Sequence, residues 1–316
     1  MFKQYLKFIL RKLSRNRIYT IVNIAGLSIA FSAAWLIYSH TSNEWTMDRF
    51  LKKSDDIYRV ITRYDDEDFW NCRTNTSFGP TAKRTFPEIV QVARYFQKEY
   101  RVKIKEEQDF IIEPKLAFVD SPFFDLFEIP IIQGKIDTTV FSWIVFTETS
   151  AKQYFNKENP IGKIITIKDV INNRKKEIKC QVVAVIKDFP TNSTIQANII
   201  VDCRQGAPYF DEYRGNHSLY TYFYIPSTAD LQAIEKKLPT IAYNMPEDVN
   251  HFNYKLQPLK DIYFHSDHLR EDELLRGTSS ITYLLWGITL LILLLAAGNF
   301  LLIRIAQQNR DSSRFA

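Results

Sequence analysis

Two long stretches without a charged side chain dominate the hydrophobic pattern of this 316-residue chain. They run from Ile18 to His40 and from Gly277 to Ile303. Each is long enough to cross the roughly 30 Å apolar core of a bilayer as a helix of about 20 residues. The pattern therefore predicts transmembrane helices over residues 18–40 and 277–303, with a large polar domain over residues 41–276 between them.

A cleaved signal peptide is the alternative for the first stretch. Its apolar region would have about 7 to 15 residues and would end at a small-x-small cleavage site. Here 23 uncharged residues continue into Tyr38, Ser39 and His40. This length favours a signal anchor that is retained.

Short helical and strand-like segments alternate irregularly between the two stretches. Segments rich in β-branched and aromatic residues predict strands, over residues 56–63, 102–105, 109–112, 144–146, 164–167, 178–186, 220–225 and 252–259. Helices are predicted over residues 79–95, with an interruption at Phe86-Pro87, over 148–155, and over 230–242, the last opened by Ser227 or Thr228. The irregular order predicts an α+β fold with two α/β lobes rather than one parallel sheet.

Basic residues are concentrated beside the two predicted spans. The chain has 41 Lys and Arg against 36 Asp and Glu, but residues 41–276 are mildly acidic, so the excess of +5 belongs to the flanks. Because basic flanks stay on the cytoplasmic side, we expect both termini to be cytoplasmic and the middle domain extracytoplasmic, in a multi-pass protein of a bacterial inner membrane. Topology and anionic lipid explain these cations, so we expect no nucleic-acid partner.

Four basic residues in the first 17 positions recur at every fourth residue, namely Lys3, Lys7, Arg11 and Arg15. Apolar residues lie on the other side of the same helical projection. This pattern predicts a cytoplasmic amphipathic helix over residues 1–17 that lies on the membrane surface with its cations at headgroup level. A basic flank that only sets topology is the alternative.

Small residues recur in the first predicted span at Gly26, Ala30 and Ala34. A spacing of four places them on one face, where another helix can approach closely. They are therefore our candidate helix-packing residues. Asn23 and Asn299 lie near the cytoplasmic ends of the two spans, where they can bond to another helix or meet interfacial water.

The sequence has no familiar catalytic motif. It contains no GxxxxGK[ST] phosphate-binding loop, no GxSxG and no HExxH. We therefore expect neither an enzyme nor a bound cofactor or metal. His265 and His268 have a spacing that can hold a metal but no clear third ligand, and the acidic run at residues 65–68 lacks the ligand spacing of an EF-hand loop, so both are interpreted as polar loops.

Three cysteines, Cys72, Cys180 and Cys203, form an odd set. An oxidising compartment permits one disulfide, with Cys180 and Cys203 nearer in sequence than the other pairs. Cys180 lies in an apolar strand, so a buried free thiol is the simpler interpretation.

Aromatic residues make up 14% of the chain and cluster at residues 123–127 and 220–224. We interpret these clusters as core packing, with an apolar substrate groove as the alternative.

Several short motifs occur in a characteristic order. Asp48-Arg49-Phe50 follows the first span, and it is followed by DIYRV (56–60), AKQYF (151–155), NPIGK (159–163), VAVIKDFP (183–190), LQPLKDIY (256–263) and GNF (298–300). This succession covers essentially the whole chain. It resembles the N-terminal part of MacB/FtsX-type ABC transporter permeases, in the form common in Bacteroidetes, including their MacB-like periplasmic core domain.

The resemblance implies a permease subunit, or an N-terminal fragment of one, without a catalytic site of its own. A separate ABC ATP-binding subunit would hydrolyse ATP, and the permease would transmit the motion to its extracytoplasmic domain, for export or for control of an envelope partner protein. The predicted spans contain no Asp, Glu, Lys or Arg. This fits a transmitter without an ion path through the membrane.

Members of this family carry at least two further spans, whereas this chain ends 13 residues after Ile303. We therefore expect a truncated gene, an isolated domain or a split half that needs further permease spans or a second permease chain. Residues 304–316 match the start of the cytoplasmic connection to the ATPase in the family. This implies that Gln307, Gln308 and Arg310 lie near that contact, with a solvated basic tail as the alternative.

A two-span membrane sensor or scaffold, with an outer domain that binds a ligand or partner, is the alternative function. Signalling receptors of this layout usually carry a cytoplasmic output domain, and 13 residues are too few to fold into one. The permease is therefore the preferred interpretation.

Overall fold

The computed structural model describes residues 17–65, 67–137, 139–140, 142–170, 177–204, 219–244, 252–270 and 272–312. The chain divides into two compact units. The sheet domain comprises Thr46–Gly277, and the membrane unit contains the two long helices that precede and follow this domain in the sequence. Lys3, Lys7, Arg11 and Arg15 of the predicted amphipathic helix lie outside the described residues.

Helix α1 (Arg17–Trp45) leads into the sheet domain, where twelve strands of the described residues form one sheet. They are β1 (Ile57–Tyr64), β2 (Trp70–Asn71), β3 (Gln91–Lys103), β4 (Ile111–Val119), β5 (Ile131–Gly134), β6 (Trp143–Thr147), β7 (Ile164–Asp169), β8 (Ile178–Ile186), β9 (Ile199–Asp202), β10 (Tyr220–Tyr224), β11 (Phe252–Pro258) and β12 (Leu269–Arg270). The path is β12-β2-β1-β10-β3-β4-β9-β6-β8-β5, with β11 paired to β1 and β7 paired to both β3 and β8. Most neighbours are antiparallel, but β12/β2, β4/β9 and β6/β8 are parallel.

Short helices cover this sheet. They are α2 (Phe78–Thr85), α3 (Pro122–Leu126), α4 (Glu148–Phe155) and α5 (Leu231–Lys237), with 3₁₀ helices at Leu238–Asn244 and Leu259–Asp261. Helix α4 has the bounds predicted from sequence, and the side chain of Thr147 caps it by accepting from the Ser150 N–H. Helix α5 is capped by Asp230, whose Oδ1 accepts from the Ala233 N–H at 3.1 Å, so the prediction that Ser227 or Thr228 opens this helix is wrong.

Strand β3 connects the two halves of the sheet. Its first residues, from Gln91 to Tyr95, pair with β10, and its later residues pair with β4 and β7. The predicted helix over residues 79–95 is therefore wrong beyond Thr85. Residues 91–95 form a strand despite their local helical pattern, because β3 pairs with neighbouring strands on both of its edges. Such tertiary contacts commonly outweigh local secondary-structure propensity.

The hydrophobic core explains how one sheet can carry two lobes. One face is lined by a single cluster that includes Tyr95, Trp143 and Tyr222. The opposite face carries two separate clusters. One is centred on Phe118 and Phe146 with α4, and the other contains residues of α2, α5, β10 and β11. The α+β class is confirmed, and the two lobes are two core regions on one continuous sheet.

The membrane unit contains α1 and the last helix, α6 (Ser279–Ser312). Segments Thr20–Trp45 and Ser279–Leu302 are long and apolar enough to cross a membrane. The two helices run antiparallel, since Thr282 Oγ1 donates to Glu44 Oε2 at 2.9 Å near one end of the pair. At the other end, Gly26 lies beside the Asn299 side chain. The two candidate membrane helices predicted before and after the sheet domain in the sequence are therefore present.

Candidate functional site

The two ends of the sheet domain join it to the long helices. Thr46 directly follows α1, and Gly277 precedes α6 by two positions. Any movement of the helices passes along the chain through these ends, so the side chains that fasten them to the sheet form our candidate functional site. We call Thr46, Asp48, Asn192, Ser193 and Thr194 the entry clasp. We call Arg59, Gln257, Ser266 and Asp272 the exit anchor.

The entry clasp is built around the buried carboxylate of Asp48, which is 2% exposed. Asp48 Oδ1 accepts from the Thr194 N–H at 3.0 Å and from Ser193 Oγ at 3.1 Å, and Oδ2 accepts from Thr194 Oγ1 at 2.5 Å. The Asp48 N–H donates to the Asn192 carbonyl at 2.8 Å. In return, Asn192 Nδ2 donates to the Thr46 carbonyl at 3.1 Å. The first residues of the domain are thus fastened to a loop more than 140 positions away.

The backbone of Asp48 lies in the left-handed region, with φ of 55°. Aspartate tolerates this region better than most residues because its short side chain bonds to nearby backbone. Burial raises the pKa of Asp48, although the hydrogen bonds from Thr194 and Ser193 act in the opposite direction. The clasp therefore holds a carboxyl group that binds a proton more readily than a free aspartate.

The clasp brings together two motifs that are far apart in the sequence. Asp48-Arg49-Phe50 lies beside the loop that follows Asp188-Phe189-Pro190, and Phe50 and Phe189 line the same cavity. Asp188 accepts from the Thr149 N–H at 2.9 Å and from Thr149 Oγ1 at 2.6 Å, at the start of α4. Partial burial raises the pKa of Asp188, but these hydrogen bonds outweigh it and leave the pKa below its ordinary value.

The exit anchor is built around Arg59 on β1, whose side chain is fully buried. Its Nη2 donates to Gln257 Oε1 at 2.7 Å and to Ser266 Oγ at 2.9 Å. Its Nη1 lies 2.9 Å from Oδ2 of the equally buried Asp272. Burial lowers the pKa of Arg59, but Asp272 and the other partners more than compensate and raise it. The anchor therefore contains a buried ion pair.

The residues after the ion pair are also held in place. The Glu273 N–H donates to Tyr220 Oη at 2.8 Å, and the Leu274 N–H donates to Asp272 Oδ1 at 3.2 Å. The Gly277 N–H donates to the Tyr263 carbonyl at 2.9 Å. A Cβ at position 277 would overlap the Tyr263 ring, so only glycine fits there without a shift. The last residues of the domain are therefore packed against its core up to Gly277.

The structure describes the side-chain surroundings of only some of the predicted site residues. Ala30 and Ala34 are buried within the membrane unit, and Gly26 lies beside Asn299. Their role in helix packing stays a prediction. Gln307, Gln308 and Arg310 belong to the last turns of α6, but their side chains are outside the described part.

The metal and thiol candidates have ordinary structural surroundings. No group of three His, Cys, Asp or Glu is arranged for a metal in the part of the chain that the structure describes. His265 lies 3.7 Å from the Asp261 carboxylate on an exposed surface. All three cysteines are free and buried, so Cys180 and Cys203 form no disulfide. Burial raises the pKa of each thiol to about 12.

Sequence reasoning missed the exit anchor. One signal was available, because Arg59 interrupts the strand DIYRVITR, in which its neighbours are apolar. A charged residue inside a strand that is buried on both faces needs a partner. The sequence does not show where that partner is, since Ser266 lies 207 positions away.

Comparisons with known proteins agree on one family. The sequence model of the MacB-like periplasmic core domain matches residues 20–241. No curated protein matches the chain. Among solved structures, a domain of a protein described as a permease from Porphyromonas gingivalis is 15% identical, with a TM-score of 0.52, and the match covers 70% of this chain and 95% of that one. This likeness shows a shared fold.

Two other solved structures align less well. The periplasmic region of MacB from Actinobacillus actinomycetemcomitans is 15% identical, with a TM-score of 0.47 over 66% of this chain and 91% of that one. The extracellular domain of the noncanonic ABC-type transporter YknZ from Gram-positive bacteria is 14% identical, with a TM-score of 0.45 over 64% and 99%.

Proposed function

Because the chain belongs to the family with a MacB-like periplasmic core domain, found in ABC-type transporter permeases, we propose that it is a permease subunit or the N-terminal part of one. It couples ATP hydrolysis by a separate ATP-binding subunit to motion of its sheet domain. This motion serves export or the control of a partner protein in the envelope. The observation that carries the proposal is the fastening of both ends of the sheet domain.

The physical argument concerns stiffness. A flexible linker absorbs the displacement of a helix, whereas a linker bonded to a folded core passes it on. The entry clasp joins residues 46–48 to the loop at 192–194, and the exit anchor joins β1 to residues 266–272. Displacement of α1 or α6 along the chain therefore reaches the sheet rather than being lost in a loose connection.

The topology follows from charge and helix direction. Antiparallel helices place the N-terminus of α1 and the C-terminus of α6 at the same end of the membrane unit. Basic residues flank both of these ends, which supports a cytoplasmic location for both termini under the positive-inside rule. A sheet domain outside the cytoplasm, on the far side of a bacterial inner membrane, is part of this proposal.

Three sets of residues have separate roles in this proposal. Gln307, Gln308 and Arg310 contact the ATP-binding subunit. Lys3, Lys7, Arg11 and Arg15 hold a surface helix against anionic headgroups. Gly26, Ala30 and Ala34 allow close approach of another helix, which includes further permease spans or a second permease chain.

Co-purification tests the proposal directly. The chain is tagged at its native locus, extracted under conditions that preserve membrane complexes, and analysed by mass spectrometry for an ATP-binding subunit. We expect that subunit in the complex, and we expect Arg310→Glu to reduce its recovery while Arg276→Glu, in the sheet domain, does not. Recovery of the chain without any ATP-binding protein would instead support a sensor or scaffold.

A further inference from the structure

Strand β5 (Ile131–Gly134) forms one end of the sheet and exposes a backbone edge. Among the described strands, β5 pairs with β8 alone, and it is the last strand on the path of the sheet. All four of its residues are exposed. Ile131 and Ile132 keep 44% and 52% of their surface accessible, although both are large apolar residues. An uncovered strand edge of this kind is a template for pairing with another chain.

The backbone of Ile131 faces the open side of β5. The Lys187 N–H donates to the Pro130 carbonyl at 2.9 Å, just before β5 begins. In an antiparallel ladder, successive residues point their backbone groups alternately toward the partner strand and away from it. The N–H and C=O of Ile131 therefore point away from β8. These two groups are the donor and the acceptor that an added strand would use.

Other edges of the sheet carry features that are known to protect strand edges. On β11, the Leu256 N–H donates to Glu235 Oε1 of α5 at 2.7 Å. Strand β12 has only two residues, and Pro114 lies in the half of β4 that does not pair with β9. Strand β5 contains neither a charged residue nor a proline, and only its short length and a β-bulge between Ile131 and Gln133 limit its edge. We therefore expect any partner strand on β5 to be short.

An open cavity of about 350 Å³ lies at the start of β5. Pro130, the residue before β5, lines this cavity together with Phe50, Phe127 and Phe189. Phe50 is 44% exposed beside this apolar wall. A cavity of this size has room for a large apolar side chain, since sites for whole small molecules start at about 300 Å³. Pockets for alternate side chains are the usual source of specificity when a peptide adds a strand to a sheet.

The charges beside the cavity do not favour an ionic ligand. Its lining carries the carboxylates of Glu128 and Asp188 and the ammonium group of Lys187. Glu128 accepts from the Lys52 backbone N–H. Asp188 accepts from Thr149, and because these donors are neutral, both carboxylates keep their charge. Two negative charges and one positive charge leave the lining at −1, with both signs present. Recognition at this place therefore depends on the backbone edge and the apolar wall.

We propose that β5 binds a short, extended segment of a partner polypeptide as an added strand. The segment pairs with the outward N–H and C=O of Ile131, and one of its large apolar side chains enters the cavity beside Phe50 and Phe189. Main-chain hydrogen bonds give this kind of binding its affinity. The inference rests on the proposed function for the location of the partner, outside the cytoplasm. The strand site itself does not depend on an ATP-binding subunit, so either can fail without the other.

Binding of synthetic peptides to the full chain in detergent tests the site. The probes are four fluorescent, capped heptapeptides, Thr-Val-Thr-X-Thr-Val-Thr, with phenylalanine, leucine, tyrosine or tryptophan at X, because β-branched neighbours favour the extended form. A fifth peptide with serine at X is the control. Fluorescence anisotropy measures Kd. We expect saturable binding of at least one apolar peptide, and about tenfold weaker binding of the serine peptide, which leaves the cavity without an apolar side chain.

Backbone methylation of the tightest peptide tests strand pairing without changing the protein. Two versions are made, each methylated on one set of alternate backbone nitrogens. Only one set faces β5 when the side chain at X lies in the cavity. We therefore expect one version to lose binding and the other to keep it.

Substitutions in the full chain test the same edge from the other side. Ile131→Pro removes the outward N–H and should weaken peptide binding about fivefold, as for the loss of one hydrogen bond. Ile131→Val keeps this N–H and is the matched control. Lys187→Gln should leave Kd unchanged, because recognition does not depend on charge. Thermal unfolding of each variant shows that it is folded.

Failure of all four apolar peptides to bind with saturation would overturn the proposal. Equal binding by the two methylated peptides would also overturn it, since the cavity would then take an apolar group without strand pairing. A dimer of the full chain that Ile131→Pro dissociates would show that β5 of a second copy occupies this edge instead. Recovery of an ATP-binding subunit is measured separately, so a failure of the strand site leaves the permease proposal standing.

Discussion

The entry clasp and the exit anchor fasten the two ends of the same domain with different chemistry. The clasp lies between two loops and joins one carboxylate to hydroxyl and backbone N–H groups. The anchor starts from a central strand and places an arginine opposite an aspartate, both with fully buried side chains. The clasp includes a residue with positive φ, whereas Arg59 is part of a regular strand.

This difference predicts an order of strength. A hydrogen bond to a charged group contributes about 1.5 to 3 kcal/mol to stability, whereas removing one partner of a buried ion pair costs about 3 to 5 kcal/mol. We therefore expect the entry end to open before the exit end when the domain is strained. Variants at each end test this predicted order of strength.

The largest effect is expected at the exit anchor. Arg59→Met leaves the Asp272 carboxylate buried without its cation, and should lower the free energy of unfolding by about 3 to 5 kcal/mol. Chemical denaturation of the full chain in detergent, followed by tryptophan fluorescence, measures this loss. Lys255→Met on the neighbouring strand β11, with an exposed side chain, is the control. If Arg59→Met and Lys255→Met have the same free energy of unfolding, the ion pair does not stabilise the exit end.

The entry clasp should respond less strongly. Asp48→Ala leaves the donors of Ser193 and Thr194 without their acceptor and places alanine at positive φ, which together should lower the free energy of unfolding by about 2 to 4 kcal/mol. Asp48→Asn keeps an acceptor oxygen and tolerates this backbone, and should cost less than about 1 kcal/mol. The same denaturation experiment measures the free energy of unfolding of both Asp48 variants. A larger loss in Asp48→Ala than in Arg59→Met would reverse the predicted order of strength.

Packing at the last residue of the domain should have a smaller effect. Gly277→Ala forces the Tyr263 ring to move, and should cost about 1 to 3 kcal/mol. Gly287→Ala is the matched control, because its Cβ meets no atom within 4 Å. Thermal unfolding of the two variants measures the difference. Adding Tyr263→Leu to Gly277→Ala should restore part of the loss, and no restoration would mean that the ring is not the obstacle.

The smallest effect is a pH dependence specific to the clasp. Since the folded pKa of Asp48 is raised above its ordinary value of 3.8, folded protein takes up a proton before unfolded protein does. The contribution of Asp48 to stability is therefore full below pH 3.8 and decreases as the pH rises through the folded pKa. Wild type should gain stability relative to Asp48→Asn as the pH falls through this window. Denaturation of both proteins at pH 7 and pH 4.5 measures the gain, and a constant difference would contradict it.

Local signals were sufficient to predict some elements of the fold. Helix α4 has its predicted bounds because its cap, its short amphipathic pattern and the turn after it are all within a few residues. Strands β7 and β8 were predicted for the same reason, since they are close in sequence and pair with each other. Both predictions depend on neighbouring residues.

Other elements depend on distant partners and could not be predicted. The first five residues of strand β3 were predicted as the end of a helix, because their pairing with β10 is not visible in the sequence. Helix α3 appeared only as an aromatic cluster, although Phe123 and Phe124 are buried in the core. The contacts of the entry clasp and the exit anchor could not be predicted for the same reason. In the clasp, Asp48 and Thr194 are 146 positions apart. The motifs around them were visible in the sequence, but not the contact between them.

The burial of the three cysteines has a practical consequence for following movement in this protein. A thiol with a pKa of about 12 is almost entirely protonated at neutral pH, and maleimide reagents react with the thiolate. The unmodified chain therefore gives little background with such reagents. A single cysteine introduced on the surface of either lobe becomes a selective attachment point for a spin label or fluorophore, without any native residue having to be removed.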